Sequence, residues 1–153
     1  MPAFKIAGTM ANIPLILASS SRYRRELLDR LGLAYTCVSP EVDETPLAGE
    51  SPVQLCARLA RLKAEAVAKT NPHAVVIGSD QVCDLDGQAL GKPHTFEKAV
   101  AQLMSMQGKR VVFHTAVCVL SPVLPPQETI SDTVITMRAL TEETVRDYVE
   151  REK

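Results

Sequence analysis

Short apolar runs of strand length alternate along the chain with segments whose apolar residues recur at helical spacing. Residues 13–18 (Ile-Pro-Leu-Ile-Leu-Ala) and 74–78 (Ala-Val-Val-Ile-Gly) are the apolar runs, and the β-branched second run is typical of a central strand. Residues 22–31 carry apolar side chains at helical spacing, and Gly32 follows where a helix C-cap would lie. Alternating strands and helices predict an α/β fold.

Capping and turn residues place the remaining elements. Ser51 and Gln54 form a capping-box pattern with proline between them, which predicts the start of a helix. Asp86-Gly87 predicts a hairpin turn. Because hairpins interrupt the parallel order, we expect a mixed, twisted sheet flanked by helices. The other expected elements are strands over 34–38, 110–120 and 129–138, helices over 95–107 and 142–152, an N-terminal extension over 1–12 and one domain over 13–153.

The composition excludes several classes of function. The 153 residues carry a formal net charge of −1, so the chain as a whole has no bulk attraction to nucleic acid or to an anionic membrane. Apolar runs are too short to span a bilayer. The cysteines lack zinc-site spacing and lie among apolar neighbours, which favours buried reduced thiols and a cytoplasmic location. An anion site must therefore be a local cluster of positive charge.

Residues 19–25, Ser-Ser-Ser-Arg-Tyr-Arg-Arg, concentrate hydrogen-bond donors at the start of the first predicted helix. A helix N-terminus offers unpaired N–H groups, and hydroxyl and guanidinium groups add donors that suit phosphate oxygens. The alternative is that the serines only cap the helix and the arginines only coat it. Arginines in a first turn oppose the helix dipole, which tilts the interpretation towards a bound anion.

Acidic and lysine side chains elsewhere suit a site for a charged substrate. Asp80 follows the predicted central strand, where it can act as a general base or bind a divalent ion, or simply form a turn. Glu44 lies in an acidic loop, which either supplies carboxylates to Mg²⁺ or Mn²⁺ or is only solvated. Lys63 and Lys92, each taken alone, fit ordinary surface lysines. Walker A, Gly-x-Gly-x-x-Gly and Gly-x-Ser-x-Gly motifs do not occur in the sequence.

Five motifs occur in one order: Leu-Ala-Ser-x-Ser-x-x-Arg-Arg, Val-Asp-Glu, Leu-Ala-x-x-Lys-Ala, Gly-Ser-Asp-Gln-Val and Gly-Lys-Pro. In this order and spacing the chain, from Leu15 to its end, resembles the Maf family of nucleotide pyrophosphatases, which have a Maf/ITPase-like fold. The Gly-Ser-Asp-Gln-Val form and the loop Ser-Pro-Glu-Val-Asp-Glu-Thr-Pro are most similar to the subfamily acting on 7-methyl-GTP. The dTTP/UTP subfamily usually has Ala-Asp-Thr at residues 79–81.

The resemblance implies that a nucleoside triphosphate is hydrolysed between its α and β phosphates with a divalent cation, Mg²⁺ or Mn²⁺. It implies Asp80 as the general base, and Glu44 as an aid to the metal ion or the attacking water. It also implies that Tyr23 and Gln81 tune base specificity, and a tyrosine face suits the positive charge of a methylated guanine. Tryptophan is usual in the subfamily at the position of Tyr23. The implied phosphate-binding residues are Ser19, Ser21, Arg24, Arg25, Lys63 and Lys92.

Family members typically continue for several tens of residues, so the resemblance implies that the C-terminal part of the family fold is absent here. Two alternatives stay open: a pyrophosphatase for another non-standard or pyrimidine triphosphate, and a nucleotide-binding module with little catalysis. Tyr23 and Gln81 favour 7-methyl-GTP, and Asp80 together with the two lysines favours an enzyme. The expected partner is a nucleoside triphosphate, without nucleic acid or membrane, and a homodimer stays open.

Overall fold

A computed structural model of the chain describes residues 13–152, so the expected extension over 1–12 lies outside the described residues. The predicted α/β fold with a mixed sheet is confirmed. The elements, in chain order, are β1 (Leu15–Ala18), α1 (Arg22–Asp29), β2 (Thr36–Cys37), α2 (Pro52–Ala68), β3 (Val75–Leu85), β4 (Gln88–Leu90), α3 (Phe96–Met106), β5 (Arg110–Leu120), β6 (Gln127–Thr136) and α4 (Glu142–Arg151).

The sheet has the strand order β2-β1-β3-β5-β6. A sixth strand, β4, also pairs with β3 but is not part of this linear order. Strand β1 runs parallel to both β2 and β3, whereas β4 runs antiparallel to β3. The register of β1 and β3 sets Leu15 opposite Val75 and Ala18 opposite Gly78. Because parallel strands end at the same edge, the residues that follow Ala18 and Gly78 lie near one another.

The chain divides into two compact units, and the long strands β3, β5 and β6 contribute residues to both. Within the described residues, the first unit consists of 13–45, 57–80 and 116–129, and the second of 46–56, 81–115 and 130–152. In the first unit, apolar residues of β1, α2 and β3 are buried, among them Leu17, Leu59 and Val76. In the second, Leu85 and Val111 belong to a buried cluster.

Two local predictions are confirmed in detail. The capping box lies at the N-terminus of α2. The Ser51 amide donates to Gln54 Oε1 at 2.9 Å, and the Gln54 amide donates to Ser51 Oγ at 3.2 Å. The turn between β3 and β4 has Asp86 at φ 52° and Gly87 at φ 85°. Two successive positive φ angles are those of the tight hairpin turn that an Asp-Gly pair favours.

Three expectations need correction. Strand β3 does not end at Gly78 but continues to Leu85, so Asp80 lies within the strand rather than in a turn after it. Strand β2 has only two residues. Cys37 is exposed and not buried, whereas Cys56 and Cys118 are buried as expected.

Across residues 13–152, helices fall short of the length and apolar character that a membrane crossing needs.

The second unit holds a buried histidine that the sequence did not single out. His114 on β5 is 4% exposed. Its Nδ1 lies 2.7 Å from Asp132 Oδ1 on β6, and its Nε2 lies 2.8 Å from Asp84 Oδ2 on β3. An ionised carboxylate can only accept a hydrogen bond, so two such partners favour a proton on each ring nitrogen. Their hydrogen bonds raise the pKa of His114, and in the imidazolium form His114 joins three strands.

Candidate active site

The segment at residues 19–25, here called the Ser-Arg loop, follows β1 directly and includes the first turn of α1. Ser19 is buried, and its Oγ accepts from the Ser21 amide at 3.0 Å and from Arg24 Nη1 at 3.5 Å. Ser21 is the N-cap of α1, and its Oγ accepts from the Arg24 amide at 3.3 Å. Ser21 thus does cap the helix, while Arg25 and Tyr23 are exposed on its first turn.

No acidic residue occupies the first turn of α1, which instead carries arginines. A helix N-terminus has a partial positive charge, which disfavours arginines there unless an anion is near. Glu26 supplies one for Arg22, with its Oε1 3.3 Å from the arginine Nε. The buried hydroxyl of Ser19 already holds the Arg24 side chain at one end of this turn. The arrangement suits phosphate oxygens, which accept hydrogen bonds from guanidinium and backbone N–H groups together.

Asp80 lies two residues past Gly78, the last position of β3 that pairs with β1. Its side chain is buried, and so is that of the preceding Ser79, whose Oγ donates to the carbonyl of Ala116 on β5 at 2.9 Å. This bond satisfies the hydroxyl of Ser79 within the sheet. The parallel register therefore places Asp80 near the edge at which the Ser-Arg loop begins.

Helix α2 packs unusually close to β3 at Gly78. A Cβ atom at Gly78 would lie 2.3 Å from the carbonyl oxygen of Ala60 and 2.6 Å from the amide nitrogen of Ala64. These are backbone atoms of α2, so a larger residue at this position would push the helix away from the strand. The absent side chain allows the contact that brings Lys63, also on α2, within reach of Asp80.

Lys63, which the resemblance implies as a phosphate-binding residue, lies between the carboxylates of Asp80 and Glu44. Its Nζ lies 2.7 Å from Asp80 Oδ1 and 3.1 Å from Glu44 Oε1. The side chains of Lys63 and Asp80 are 11% and 9% exposed, and that of Glu44 is 54% exposed. A partly buried ammonium between two carboxylates helps to orient both, and most strongly the buried Asp80. We call these three residues the acid–lysine cluster.

The acidic loop that carries Glu44 is held in place by hydrogen bonds to Thr45, the residue that follows Glu44. The amide of Thr45 donates to Asp43 Oδ1 at 2.9 Å, and Arg58 Nη2 of α2 donates to the Thr45 carbonyl at 3.1 Å. Hydrogen bonds from the side chain and the amide of Thr45 hold the pKa of Asp43 below its usual value. Arg58 was missed by the sequence reasoning, because its partner is a backbone carbonyl, which leaves no trace in a residue pattern.

The other two predicted site residues lie in the second unit. Gln81 Nε2 donates to Thr115 Oγ1 on β5 at 3.2 Å. Lys92 is exposed in the segment after β4, where Gln102 Nε2 of α3 donates to the carbonyl of Gly91 at 2.6 Å. Of the predicted set, the structure thus brings Ser19, Ser21 and Arg24 into mutual contact, and separately Lys63, Asp80 and Glu44.

Comparison with solved structures supports the fold. The Staphylococcus aureus Ham1 protein superposes with a TM-score of 0.56 at 16% sequence identity, covering 92% of this chain and 100% of that one. A HAM1 protein from Coxiella burnetii superposes with a TM-score of 0.53 at 13% identity, covering 81% of this chain and 72% of that one. At such identities the likeness concerns the fold alone.

Comparison with curated proteins gives much higher identities. A protein of Polaromonas sp. named 7-methyl-GTP pyrophosphatase is 51% identical over 148 residues, which are 96% of this chain and 68% of that protein. Proteins of the same name are 49% identical in Pseudomonas putida, over 92% of this chain and 74% of that protein, and 62% identical in Burkholderia orbicola, over 68% and 51%. The family model described as Maf-like protein matches residues 14–153. The chain belongs to the Maf-like protein family.

Proposed function

We propose that this chain is a nucleoside triphosphate pyrophosphatase that hydrolyses 7-methyl-GTP to 7-methyl-GMP and diphosphate. The observation that carries the proposal is the acid–lysine cluster, with Lys63 Nζ 2.7 Å from Asp80 and 3.1 Å from Glu44. The cluster lies in the same unit as the Ser-Arg loop. The substrate follows the names of relatives at about half sequence identity.

In this proposal the Ser-Arg loop holds the triphosphate. Arg24, Arg25 and the N-terminal amides of α1 donate to phosphate oxygens, together with the hydroxyls of Ser19 and Ser21. Transfer of a phosphoryl group depends mainly on positioning and on neutralising the charge of the oxygens. Lys92, exposed after β4, adds a further positive charge.

Asp80 is the proposed general base. Its carboxylate takes a proton from a water molecule while the water oxygen attacks the α phosphorus. The bond from that phosphorus to the bridging oxygen breaks, and diphosphate leaves with the electron pair. Lys63 is partly buried against Asp80, and we infer that its first role is to orient this carboxylate, with contact to a phosphate as a second role.

The residues present fit a divalent cation such as Mg²⁺ or Mn²⁺. Mg²⁺ is usually bound by one or two carboxylates together with substrate phosphates, rather than by a cage of protein ligands. Glu44 and Asp80 supply two such carboxylates, and the described residues 13–152 contain no larger group of metal-ligating side chains. When bound, the cation neutralises charge on the phosphates.

Recognition of the base is assigned to Tyr23 and Gln81. Tyr23 is 68% exposed, so its ring face is accessible to a ligand. Methylated guanine carries a positive charge, which an aromatic face attracts. The amide of Gln81 donates to Thr115 Oγ1, which fixes its orientation. A cytoplasmic location is proposed with this function, because nucleotide substrates are found there.

The test is a diphosphate-release assay with 7-methyl-GTP, GTP, dTTP and UTP, each with Mg²⁺ or Mn²⁺. We expect 7-methyl-GTP to be cleaved with the highest kcat/KM. Asp80→Asn should lower kcat by about 10²- to 10⁴-fold, the range for loss of a general base. Asp147→Asn, which changes an exposed carboxylate on α4, is the matched control and should keep the parent rate.

Each contrary outcome identifies a different error. If Asp80→Asn keeps the full rate, the general-base assignment is wrong. Faster cleavage of dTTP or UTP than of 7-methyl-GTP would show that the chain is a pyrophosphatase for pyrimidine triphosphates instead. Tight binding of 7-methyl-GTP without release of diphosphate would make the chain a nucleotide-binding module. The alignments with the three relatives described above cover 51% to 74% of the length of those proteins.

A further inference from the structure

Arg58 contacts the loop that carries Glu44 at the residue next to Glu44. Its Nη2 donates to the carbonyl oxygen of Thr45 at 3.1 Å, and Thr45 follows Glu44 directly in the chain. We propose that Arg58 is a positioning residue, which sets the Glu44 carboxylate against Lys63 by holding the backbone of Thr45. The consequence for catalysis rests on the function proposed above, whereas the positioning itself does not.

The loop needs such a contact because it lacks regular structure. Residues 38–47 belong to no helix or strand, so the backbone hydrogen bonds of a regular element do not hold Glu44 in place. Both polar groups of the Thr45 backbone are instead bound by side chains, the amide by Asp43 and the carbonyl by Arg58. The bond to Asp43 is internal to the loop, and the bond to Arg58 joins the loop to α2.

Helix α2 is a suitable anchor because it also carries Lys63. The bond from Arg58 to Thr45 and the ion pair from Lys63 to Glu44 therefore join the same loop to one rigid element at two points. Glu44 is 54% exposed, so its ion pair with Lys63 alone is weakened by solvent. The second attachment keeps the carboxylate near Lys63 despite this exposure.

An arginine suits this task better than a lysine. The guanidinium presents several donors in a planar, preorganised arrangement, whereas an ammonium is a compact charge on a flexible stem. A competing role is direct contact between Arg58 and a phosphate, which would serve binding instead of position. The two roles predict different kinetic changes.

The test uses Arg58→Met, Arg58→Lys and the control Arg61→Met. Arg61 lies on the same helix, and its side chain is 52% exposed beside Glu65 and Glu128. The first measurement needs no substrate: amide hydrogen exchange at Thr45, whose N–H is bound by Asp43. Arg58→Met should accelerate this exchange about three- to tenfold, the factor expected for one ordinary hydrogen bond. Arg61→Met should leave it unchanged.

The second measurement is diphosphate release against the concentrations of Mg²⁺ and of 7-methyl-GTP. Arg58→Met should raise the Mg²⁺ concentration for half-maximal rate or lower kcat by about three- to tenfold, with little change in KM for the nucleotide. Arg58→Lys should recover part of this loss. In the Glu44→Gln background, Arg58→Met should have little further effect, because residues acting through one another are not additive.

The results separate two kinds of failure. Unchanged Thr45 exchange in Arg58→Met overturns the positioning role, whatever the activity. A raised nucleotide KM with unchanged Mg²⁺ dependence, or full additivity with Glu44→Gln, assigns Arg58 to phosphate binding and also overturns it. If the parent cleaves no triphosphate while Thr45 exchange accelerates as expected, the positioning stands and the proposed function fails.

Discussion

Replacement of His114 tests how much a buried charge contributes to this fold. The imidazolium donates to Asp84 at 2.8 Å and to Asp132 at 2.7 Å, and it is 4% exposed. Burial alone would lower the pKa of His114, but its hydrogen bonds to the two carboxylates outweigh burial and raise the pKa above its usual value. The perturbation is His114→Gln, which removes the charge and keeps one amide donor.

The magnitude follows from the two contacts. A hydrogen bond to a charged group contributes about 1.5–3 kcal/mol when it is well buried, as is the one to Asp84, whose side chain is 18% exposed. The side chain of Asp132 is 51% exposed, so this contact is limited to about 0.2–1 kcal/mol by solvent. We therefore expect His114→Gln to lower the free energy of unfolding by about 2–4 kcal/mol near pH 6.

The direction in which folding shifts the pKa of His114 determines how the stability difference depends on pH. Because folding raises the pKa of His114 above 6.5, its stabilising effect is fully present below pH 6.5 and is lost as pH rises through the folded value. The charged groups facing the ring are Asp84 from β3 and Asp132 from β6. The difference in stability between the parent and His114→Gln should therefore shrink as pH rises above 6.5.

The assay is urea unfolding between pH 6 and pH 9, followed by circular dichroism because the chain contains no tryptophan. His73→Gln is the control, since His73 is an exposed histidine. It should match the parent across this range. A stability difference between the parent and His114→Gln that is constant with pH, or that grows as pH rises, would refute the doubly protonated assignment.

Three further predictions concern the acid–lysine cluster and the Ser-Arg loop. Gly78→Ala should destabilise the protein by about 1–3 kcal/mol in urea unfolding, because its Cβ would overlap backbone atoms of α2, whereas Gly91→Ala, with open space around its Cβ, should have little effect. Lys63→Met should lower stability by about 3–5 kcal/mol because it breaks the ion pair with the buried Asp80, and adding Asp80→Asn should restore part of this loss; equal stability of the single and double variants would contradict the reasoning. Ser21→Ala should cost about 1 kcal/mol in the same assay, and no change would show that the N-cap does not stabilise α1.

The features that could be predicted from the sequence are those determined by neighbouring residues. The capping box at Ser51 and the turn at Asp86-Gly87 depend on backbone angles and hydrogen bonds within four residues, and both are confirmed. The prediction of the end of β3 is wrong because the apolar run stops at Gly78, whereas the strand continues to Leu85. The glycine instead marks close packing of a helix, which depends on residues that are distant in the chain.

Partners in the sites were harder to predict for the same reason. His114 lies 30 residues from Asp84 and 18 from Asp132, and only the pairing of three strands brings them together. Taken alone, Lys63 fits an ordinary surface lysine, but it is partly buried with its Nζ 2.7 Å from Asp80 Oδ1. Nothing in the spacing of these residues distinguishes a buried ion pair from two separate surface charges.

The position of Asp80 depends on three contacts that meet at or next to Gly78. Pairing with β1 sets Gly78 opposite Ala18 and therefore relates Asp80 to the start of the Ser-Arg loop. The bond from Ser79 to the carbonyl of Ala116 joins the same stretch to β5. Because Gly78 has no Cβ, α2 can pack close to β3, and this brings Lys63 to the Asp80 carboxylate. Since a shift of about 1 Å in a reacting group can cost about 10²-fold in rate, Gly78→Ala should reduce kcat far more than its loss of stability alone would imply. A variant that is folded at the assay temperature and keeps the parent kcat would show that the close approach of α2 has no part in placing Asp80.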